Sequence, residues 1–452
     1  MKRLIIIAFF ISSFAVVSCD NSSSSNNTNN INNTNNLNNT NNINNVNNDA
    51  GTDSDVEEDG STGTCDAPPR SFWNYDLTVM PPGNVEIQAT CRGMSSHVYV
   101  YVADSAWEDN MVNQDMIDDI IYAWDTATPS NNNMGIHELS TSTFGNPPDV
   151  DNDEHIIIFI TPLGSYNGHT FDGYFKRENQ TSGTYSNLAE MIYLDCEYNA
   201  PNSDYLLGVL AHEFQHMLQY NADSSEESWL DETFSQAAMF MTGYWSDLST
   251  GNSYLLNRHT TNPLVVADPR NYDYGAGFMF AAYTVDRFSS SFYADLSQSQ
   301  TRGISSVNEI LALQNLGNEY DFFRLILDWA TASLLNDENI DEGNFAYLTF
   351  GDEISTPSPT MGQTGQSYNI NLPLSAYYYL SYQLSPGEEI DINISDGENL
   401  IGRTIYYTTS STEVADVVPT SGTLLFTAPD DGVLTLILLR VAGEGSVTIE
   451  AQ

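Results

Sequence analysis

The sequence predicts a mixed α+β domain followed by an all-β sandwich domain. In the first part, apolar strands and one helix come early, and long helices then dominate. After about residue 360, short alternating runs are separated by turn signals such as Ser385-Pro386-Gly387. Ser, Thr, Pro and Gly cluster between Asp352 and Gln366. We therefore predict domains at residues 65–355 and 356–452, which suits a chain of 452 residues.

The N-terminus resembles an export signal. Lys2 and Arg3 precede an apolar run, Leu4–Val17, that is shorter than the ~20 residues needed to span a bilayer. The run ends in Val16-Val17-Ser18-Cys19, which resembles the bacterial lipobox. We expect a signal peptide over 1–18, a lipid-modified Cys19, and a protein in the bacterial cell envelope. Its membrane contact would be the lipid alone, on the periplasmic or the extracellular side.

Residues 19–64 predict a disordered tether. Asn-Asn-x repeats run from Asn26 to Asn48, and an acidic stretch, Asp49–Gly63, follows. These residues offer too little apolar surface to bury, and asparagine side chains compete for backbone hydrogen bonds.

The charge balance is strongly acidic. Thirteen Lys and Arg face sixty Asp and Glu, for a net charge of −47. Such a surface repels phosphate backbones, so we expect no nucleic-acid partner. It favours divalent cations or basic substrates, but we prefer the simpler explanation of a highly soluble or salt-adapted protein.

Three cysteines remain if Cys19 carries lipid. In an exported chain, Cys65 and Cys91 form a plausible disulfide, which leaves Cys196 as a lone thiol. No Cys-x-x-Cys spacing occurs, so the sequence does not support a four-cysteine zinc site.

Periodicity predicts the secondary-structure elements of both domains. In the first domain we expect strands at His97–Val102, His155–Thr161 and Glu190–Asp195, and helices at Asn113–Trp124, Asp204–Tyr220, Trp229–Tyr244 and Asp321–Leu335. In the second domain we expect strands at Tyr377–Leu384, Glu389–Ile394, Ile401–Thr408, Gly422–Ala428, Gly432–Val441 and Ser446–Ala451.

One predicted helix carries the pattern His-Glu-x-x-His. The i, i+4 spacing of His212 and His216 puts both imidazoles on one helix face, where they can share a Zn²⁺ ion. Glu213 follows His212 and is placed to take a proton from zinc-activated water. A solvated helix with chance histidines is the alternative, but this helix is apolar nearly all round. A charged trio in that setting is costly without a metal.

The third metal ligand is expected to be a glutamate. A metzincin site needs a glycine and a histidine where this chain has Gln219 and Ala222. Glu232, near the start of the next helix, can instead fold back onto the two histidines in the gluzincin arrangement. Glu226 and Glu227 compete for this role, but they lie in a polar loop and are typical of solvated charge.

These segments resemble the hyicolysin family of secreted bacterial neutral metallopeptidases. The resemblance rests on Ala211–Leu218 and Trp229–Ser235, since members pair an H-E-F-Q-H helix with a W-L-N-E-G-type segment. It covers roughly residues 90 to 340 and has weaker support at Ser186–Asp195, Asp149-Val150-Asp151, Tyr274-Gly275-Ala276 and Asp328-Trp329-Ala330. It implies a thermolysin-like zincin fold, one catalytic zinc ion and endopeptidase activity on polypeptides.

The chain departs from the family pattern beside the ligand glutamate. Asp231 replaces the usual Asn, and Thr233 the usual Gly. Many gluzincins also carry an Asp four residues after the ligand, where it orients a zinc histidine, but this chain has Gln236. Ser235, Gln236 or another carboxylate would have to orient that histidine.

Three further assignments concern the carbonyl charge, the substrate-binding strand and a calcium loop. Tyr274 resembles the position that supplies a phenol to stabilise the developing carbonyl charge, with His259 as a rival and a core tyrosine as the alternative. Residues 187–194 are a candidate edge strand that pairs with an extended substrate. Asp149, Asp151 and Asp153 alternate like a Ca²⁺ loop, but they lack its turn glycine, so we favour a polar turn before a strand over a calcium site.

Other histidines and other functions complete the expectations. His97, His137, His155 and His169 have no ligand spacing, so we expect them to be structural or exposed. One alternative function is an inactive zincin scaffold that serves as a surface-binding lipoprotein. Another keeps the metal but hydrolyses a different amide.

Overall fold

The fold is described from a computed structural model. It covers residues 65–166, 169–245, 248–268, 272–314, 316, 319–417 and 423–452. The predicted signal peptide, Cys19 and the predicted tether lie outside these residues. Cys65 and Cys91 form the expected disulfide, and Cys196 is a buried free thiol.

The first region mixes strands and helices. Its strands are β1 (Arg70–Asp76), β2 (Gly83–Met94), β3 (Val98–Ala103), β4 (Ile156–Ile160), β5 (Ser165–Tyr166), β6 (His169–Thr170), β7 (Gly173–Phe175) and β8 (Met191–Leu194). Its helices are α1 (Asp104–Glu108), α2 (Gln114–Asp125), α3 (Ile136–Phe144), α4 (Asp204–Ala222), α5 (Ser228–Thr242), α6 (Ser249–Asn257), α7 (Tyr274–Phe288), α8 (Ser291–Ser297), α9 (Ile304–Leu313) and α10 (Phe322–Leu335). The predicted elements of this region are present with ends shifted by one or two residues.

A six-stranded sheet forms the front of this region. Its order is β1-β2-β3-β4-β8-β7, with β3, β4 and β8 parallel and β7 antiparallel to β8. The expectation that residues 187–194 supply the edge strand is therefore wrong, because β8 lies between β4 and β7. The edge is β7, whose three residues are all buried. So short a strand without polar alternation gives no periodic signal.

The long buried helix α4 crosses behind β7 and β8. Ser203 caps it by accepting a hydrogen bond from the backbone N–H of Leu206. All residues from Leu206 to Gln219 are buried, so α4 is packed on every side. At Gly173 the backbone of β7 runs so close to α4 that a Cβ would stand 2.7 Å from a methyl of Val209. This close approach brings the edge strand against the helix that carries the histidine motif.

The second region is built of strands. They are β9 (Thr360–Met361), β10 (Ser367–Leu372), β11 (Tyr377–Leu384), β12 (Glu389–Ile394), β13 (Leu400–Tyr407), β14 (Thr412–Val417), β15 (Thr423–Thr427), β16 (Gly432–Arg440) and β17 (Gly445–Ala451). Two sheets, β10-β17-β12-β15 and β14-β13-β16-β11-β9, share a core of Leu, Ile and Val. Their arrangement agrees with the predicted β-rich second half.

The second region packs on α10 through buried polar contacts. Asp328 accepts hydrogen bonds at 2.8 Å from Arg403 on β13 and at 2.7 Å from Arg287 on α7. The hydroxyl of Tyr379 on β11 donates to the carbonyl of Ala330 at 2.6 Å. Asp328-Trp329-Ala330, noted in the sequence, is thus a contact between the two regions. Within the described residues, no helix has both the length and the apolar character to cross a bilayer.

Candidate metal centre

His212, His216 and Glu232 converge in the interior of the first region. The Nε2 atoms of the two histidines lie 3.2 Å apart. Oε2 of Glu232 lies 3.6 Å from Nε2 of His212 and 3.8 Å from Nε2 of His216. Ligands on a tetrahedral Zn²⁺ with bonds of ~2.0–2.1 Å stand roughly 3.3–3.4 Å apart. The three atoms are therefore spaced as ligands of one small cation.

The donor set fits a metal on two further observations. All three side chains are buried, and Oε2 of Glu232 has no hydrogen-bond partner among the described residues. Burial by itself lowers the pKa of His216, but Asp231 and Glu232 outweigh it and raise this pKa to about 10. The site thus draws a positive charge into the protein interior. A bound metal ion such as zinc satisfies both the orphaned oxygen and the buried negative charge.

Glu213 lies next to this trio on α4. One carboxylate oxygen accepts a hydrogen bond of 2.8 Å from the backbone N–H of Phe175 in β7. The other oxygen is buried with no partner among the described residues. Burial raises the pKa of Glu213 to about 8. One oxygen is therefore held by the edge strand, and the other is free to exchange a proton with a bound molecule.

Residues of α5 hold the outer nitrogens of the two histidines. Asp231 Oδ2 and Ser235 Oγ each lie 3.2 Å from Nδ1 of His216. Nε2 of the Gln236 side-chain amide lies 3.2 Å from Nδ1 of His212. A carboxylate thus reaches one of the two histidines from position 231, although position 236 carries no aspartate.

The two competing glutamates are engaged elsewhere. Glu226 accepts a hydrogen bond of 2.8 Å from the backbone N–H of Gly303. Glu227 accepts one of 2.7 Å from the indole N–H of Trp229. Neither belongs to the convergent group, which contains Glu232.

The two candidates for carbonyl stabilisation lie in different places. The ring of Tyr274, at the start of α7, has its centroid 6.2 Å from that of His212. His259 instead stacks on Tyr377 of β11 and contacts Tyr379, with ring centroids 5.2 and 5.0 Å away. Burial lowers the pKa of His259 to about 4. The rival histidine is therefore part of the contact between the two regions, and Tyr274 alone of the pair borders the group of His212, His216 and Glu232.

The loop that carries Asp149, Asp151 and Asp153 forms local contacts before β4. The carboxylate of Asp153 pairs with the imidazole of His155, and Asn152 takes a left-handed φ of 63° that supplies the turn. These three aspartates are not among the convergent ligand groups found in the described residues. A calcium ion at this loop stays a prediction.

A second convergent group was not expected from the sequence. His97, Asp125 and His137 place their ligand atoms within 4.8 Å of one another. They come from three separate segments, so no spacing along the chain announces them. The sequence would indicate this group only to a reader who already knew that the start of β3, the end of α2 and the start of α3 meet in the fold.

Comparison with known proteins gives one informative match. The chain is 32% identical over 126 residues to the neutral metalloprotease ShpI of Staphylococcus hyicus. The match covers 24% of this chain and 28% of that protein. No family model matches the chain. The sequence is therefore related to a metalloprotease over about a quarter of its length.

Solved structures resemble the chain only distantly. The pre-peptidase C-terminal domain of a Bacillus anthracis collagenase covers 21% of this chain and 95% of its own length, with 10% identity and a TM-score of 0.18. The lysozyme inhibitor PliG of Salmonella Typhimurium covers 21% and 99%, with 17% identity and a TM-score of 0.17. The IMPa metallopeptidase covers 82% and 48%, with 10% identity and a TM-score of 0.15. These TM-scores are too low to indicate a shared fold or a shared function.

Proposed function

We propose that this protein is a zinc endopeptidase of the gluzincin type, with a thermolysin-like zincin fold in residues 65–355. The observation that carries the proposal is the buried convergence of His212, His216 and Glu232 beside Glu213. His212 and His216 would hold the ion through Nε2, and Glu232 through Oε2. When bound, zinc supplies Lewis-acid activation of water and of the scissile carbonyl.

The roles of the protein groups follow from their contacts. Glu213 takes the proton from the attacking water and later delivers it to the leaving amine. The Phe175 N–H keeps the carboxylate oriented, since it binds one oxygen and leaves the other for proton transfer. Tyr274 is the group we assign to the developing charge on the carbonyl oxygen, because its phenol borders the metal ligands.

We assign the polypeptide substrate to the edge of β7 that faces away from β8. In an antiparallel pair, alternate residues turn their N–H and C=O groups away from the partner strand. Phe175 is such a residue, since its N–H points to Glu213 rather than to β8. Gly173 lies two residues before Phe175, so its backbone groups point in the same direction. An extended peptide added at this edge would run past the metal ligands.

The proposal extends to location and to the second domain. We propose that a lipid on Cys19 anchors the protein in the cell envelope. We also propose that the two domains divide at residue 355/356. The contacts of Arg403 and Tyr379 with α10 support a structural role for the second domain. An inactive binding scaffold is disfavoured because Glu213 keeps a buried oxygen free for chemistry.

The substitution Glu213→Gln separates catalysis from metal binding. The amide keeps the size of the side chain but cannot accept the proton, so we expect casein hydrolysis to fall by roughly 10²–10⁴-fold. Zinc content, measured by mass spectrometry of the metal, should stay that of the wild type. A chelator should abolish the wild-type activity in a casein gel. Undiminished turnover by the Glu213→Gln protein would refute the proposed mechanism.

A further inference from the structure

A cluster of two imidazoles and a carboxylate lies where three segments of the first region meet. His97 immediately precedes β3, Asp125 is the last residue of α2, and His137 is in the first turn of α3. One ligand atom from each side chain lies within 4.8 Å of those of the other two. These residue types are ligands that divalent transition metals prefer in proteins.

The contacts within the cluster leave ligand capacity unused. Nδ1 of His97 lies 2.7 Å from Oδ1 of Asp125 and 3.1 Å from the hydroxyl of Ser96. Oδ2 of Asp125 is buried and has no hydrogen-bond partner among the described residues. A buried carboxylate oxygen without a donor costs free energy, which a bound cation would recover. The orphaned oxygen therefore points to a missing positive partner.

The imidazole of His137 is held in place from behind. It stacks on Phe214 of α4 with a centroid distance of 5.6 Å and lies 5.9 Å from the ring of Trp124. Its other face carries the ring of His97 at 4.2 Å, inclined by 14°. These ring contacts hold the imidazole of His137 in one orientation.

The cluster is open to solvent on the His97 side. The side chain of His97 is 46% exposed, whereas that of Asp125 is 13% exposed. An ion can therefore reach the cluster directly, and the net charge of −47 raises the local concentration of cations. Two nearly parallel rings cannot both coordinate one ion in their planes. The exposed His97 ring is the one that can tilt away to admit it.

We propose that His97, Asp125 and His137 form a second site for a divalent transition metal of the Zn²⁺, Ni²⁺ or Cu²⁺ class. Three protein ligands and solvent would complete the coordination. The ion would fasten the start of β3, the end of α2 and the start of α3 to one another. Phe214 follows His212 by two residues, which places it on the opposite face of α4. The second site thus supports the helix from behind and takes no part in peptide hydrolysis.

Zinc stoichiometry tests this site independently of the proposed function. The untagged protein is stripped of metal, loaded with excess Zn²⁺, desalted in 0.15 M salt and assayed for bound zinc. We expect two ions per chain for the wild type and one for His137→Gln. Glu232→Gln should also retain one ion, the one at the second site, so the two sites are counted separately.

Two further variants secure the interpretation. His155→Gln is the matched control, because His155 also pairs with an aspartate and stacks on an aromatic ring but has no second imidazole beside it. It should keep two ions. Asp125→Asn gives a second route to the loss of one ion if His137→Gln does not fold. Full zinc content in Asp125→Asn or in folded His137→Gln, or an equal loss in His155→Gln, would overturn the proposal.

Discussion

The two clusters of metal-ligating side chains lie on opposite faces of one helix and differ in how they are built. The front cluster, His212, His216 and Glu232, is buried and takes its ligands from two consecutive helices. The rear cluster, His97, Asp125 and His137, is half-exposed and takes its ligands from three segments spread over 41 positions. The front cluster lies next to the carboxylate of Glu213, which can transfer a proton. The rear cluster packs against the aromatic ring of Phe214.

This difference distinguishes the cluster to which we assign catalysis from the cluster to which we assign a structural role. In the front cluster, outer contacts from Asp231, Ser235 and Gln236 fix both imidazoles before a metal arrives. In the rear cluster, one imidazole is fixed and the other must move. Burial and fixed outer contacts favour tight binding, so we expect the front cluster to fill first.

Removing the front carboxylate should have the largest effect. Glu232→Gln takes away the anionic ligand, so we expect the front ion to be lost and casein hydrolysis to fall to background. Zinc content and hydrolysis are measured on the same sample. Glu226→Gln is the matched control from the preceding loop and should keep both. Loss of activity in the control, or full zinc in Glu232→Gln, would contradict the ligand assignment.

Changing the outer contacts should have an intermediate effect. Asp231→Asn weakens the hold on Nδ1 of His216, so we expect zinc affinity to fall by about 10–100-fold in a chelator competition assay. The double variant Asp231→Asn with Gln236→Asp moves the carboxylate to His212 and should recover most of the affinity. A double variant that binds no better than Asp231→Asn would contradict the expectation that a carboxylate beside either histidine supports zinc binding.

Filling the rear cluster should have the smallest effect. In the Glu232→Gln background, where the rear cluster is the remaining site, added zinc should raise the melting temperature by about 2 °C. A stabilisation of about 1 kcal/mol shifts the melting temperature by about 2–4 °C in a unit of 150–250 residues, and the first domain is somewhat larger. Adding His137→Gln should remove the shift, as measured by thermal unfolding. An unchanged shift in that double variant would mean that the ion binds elsewhere.

The sequence predicted the elements whose signal is local. The strands Tyr377–Leu384 and Glu389–Ile394 have the bounds expected from alternation, and α4 begins at the predicted residue, Asp204, and ends two residues beyond the predicted end. The front histidines share one helix, so their spacing alone brings them together. The local sequence pattern was therefore enough to predict a strand, a helix or a pair of ligands that lies within one element.

The sequence failed where tertiary contacts decide. The edge strand β7 has three buried residues and owes its place to the close approach of Gly173 to α4. The rear cluster forms only because the ends of three elements meet in space. The position of His259 could not be predicted because it depends on packing against Tyr377 of the second region. The roles of Asp231 and Gln236 likewise depend on how α5 lies against α4, which spacing does not specify.

Anomalous X-ray diffraction at the zinc edge, from crystals grown with zinc, tests the central claim most directly. We predict the strongest peak between Nε2 of His212, Nε2 of His216 and Oε2 of Glu232, next to the free oxygen of Glu213. A second, weaker peak is expected among His97, Asp125 and His137. Crystals that show zinc elsewhere and none between His212, His216 and Glu232 would contradict the account.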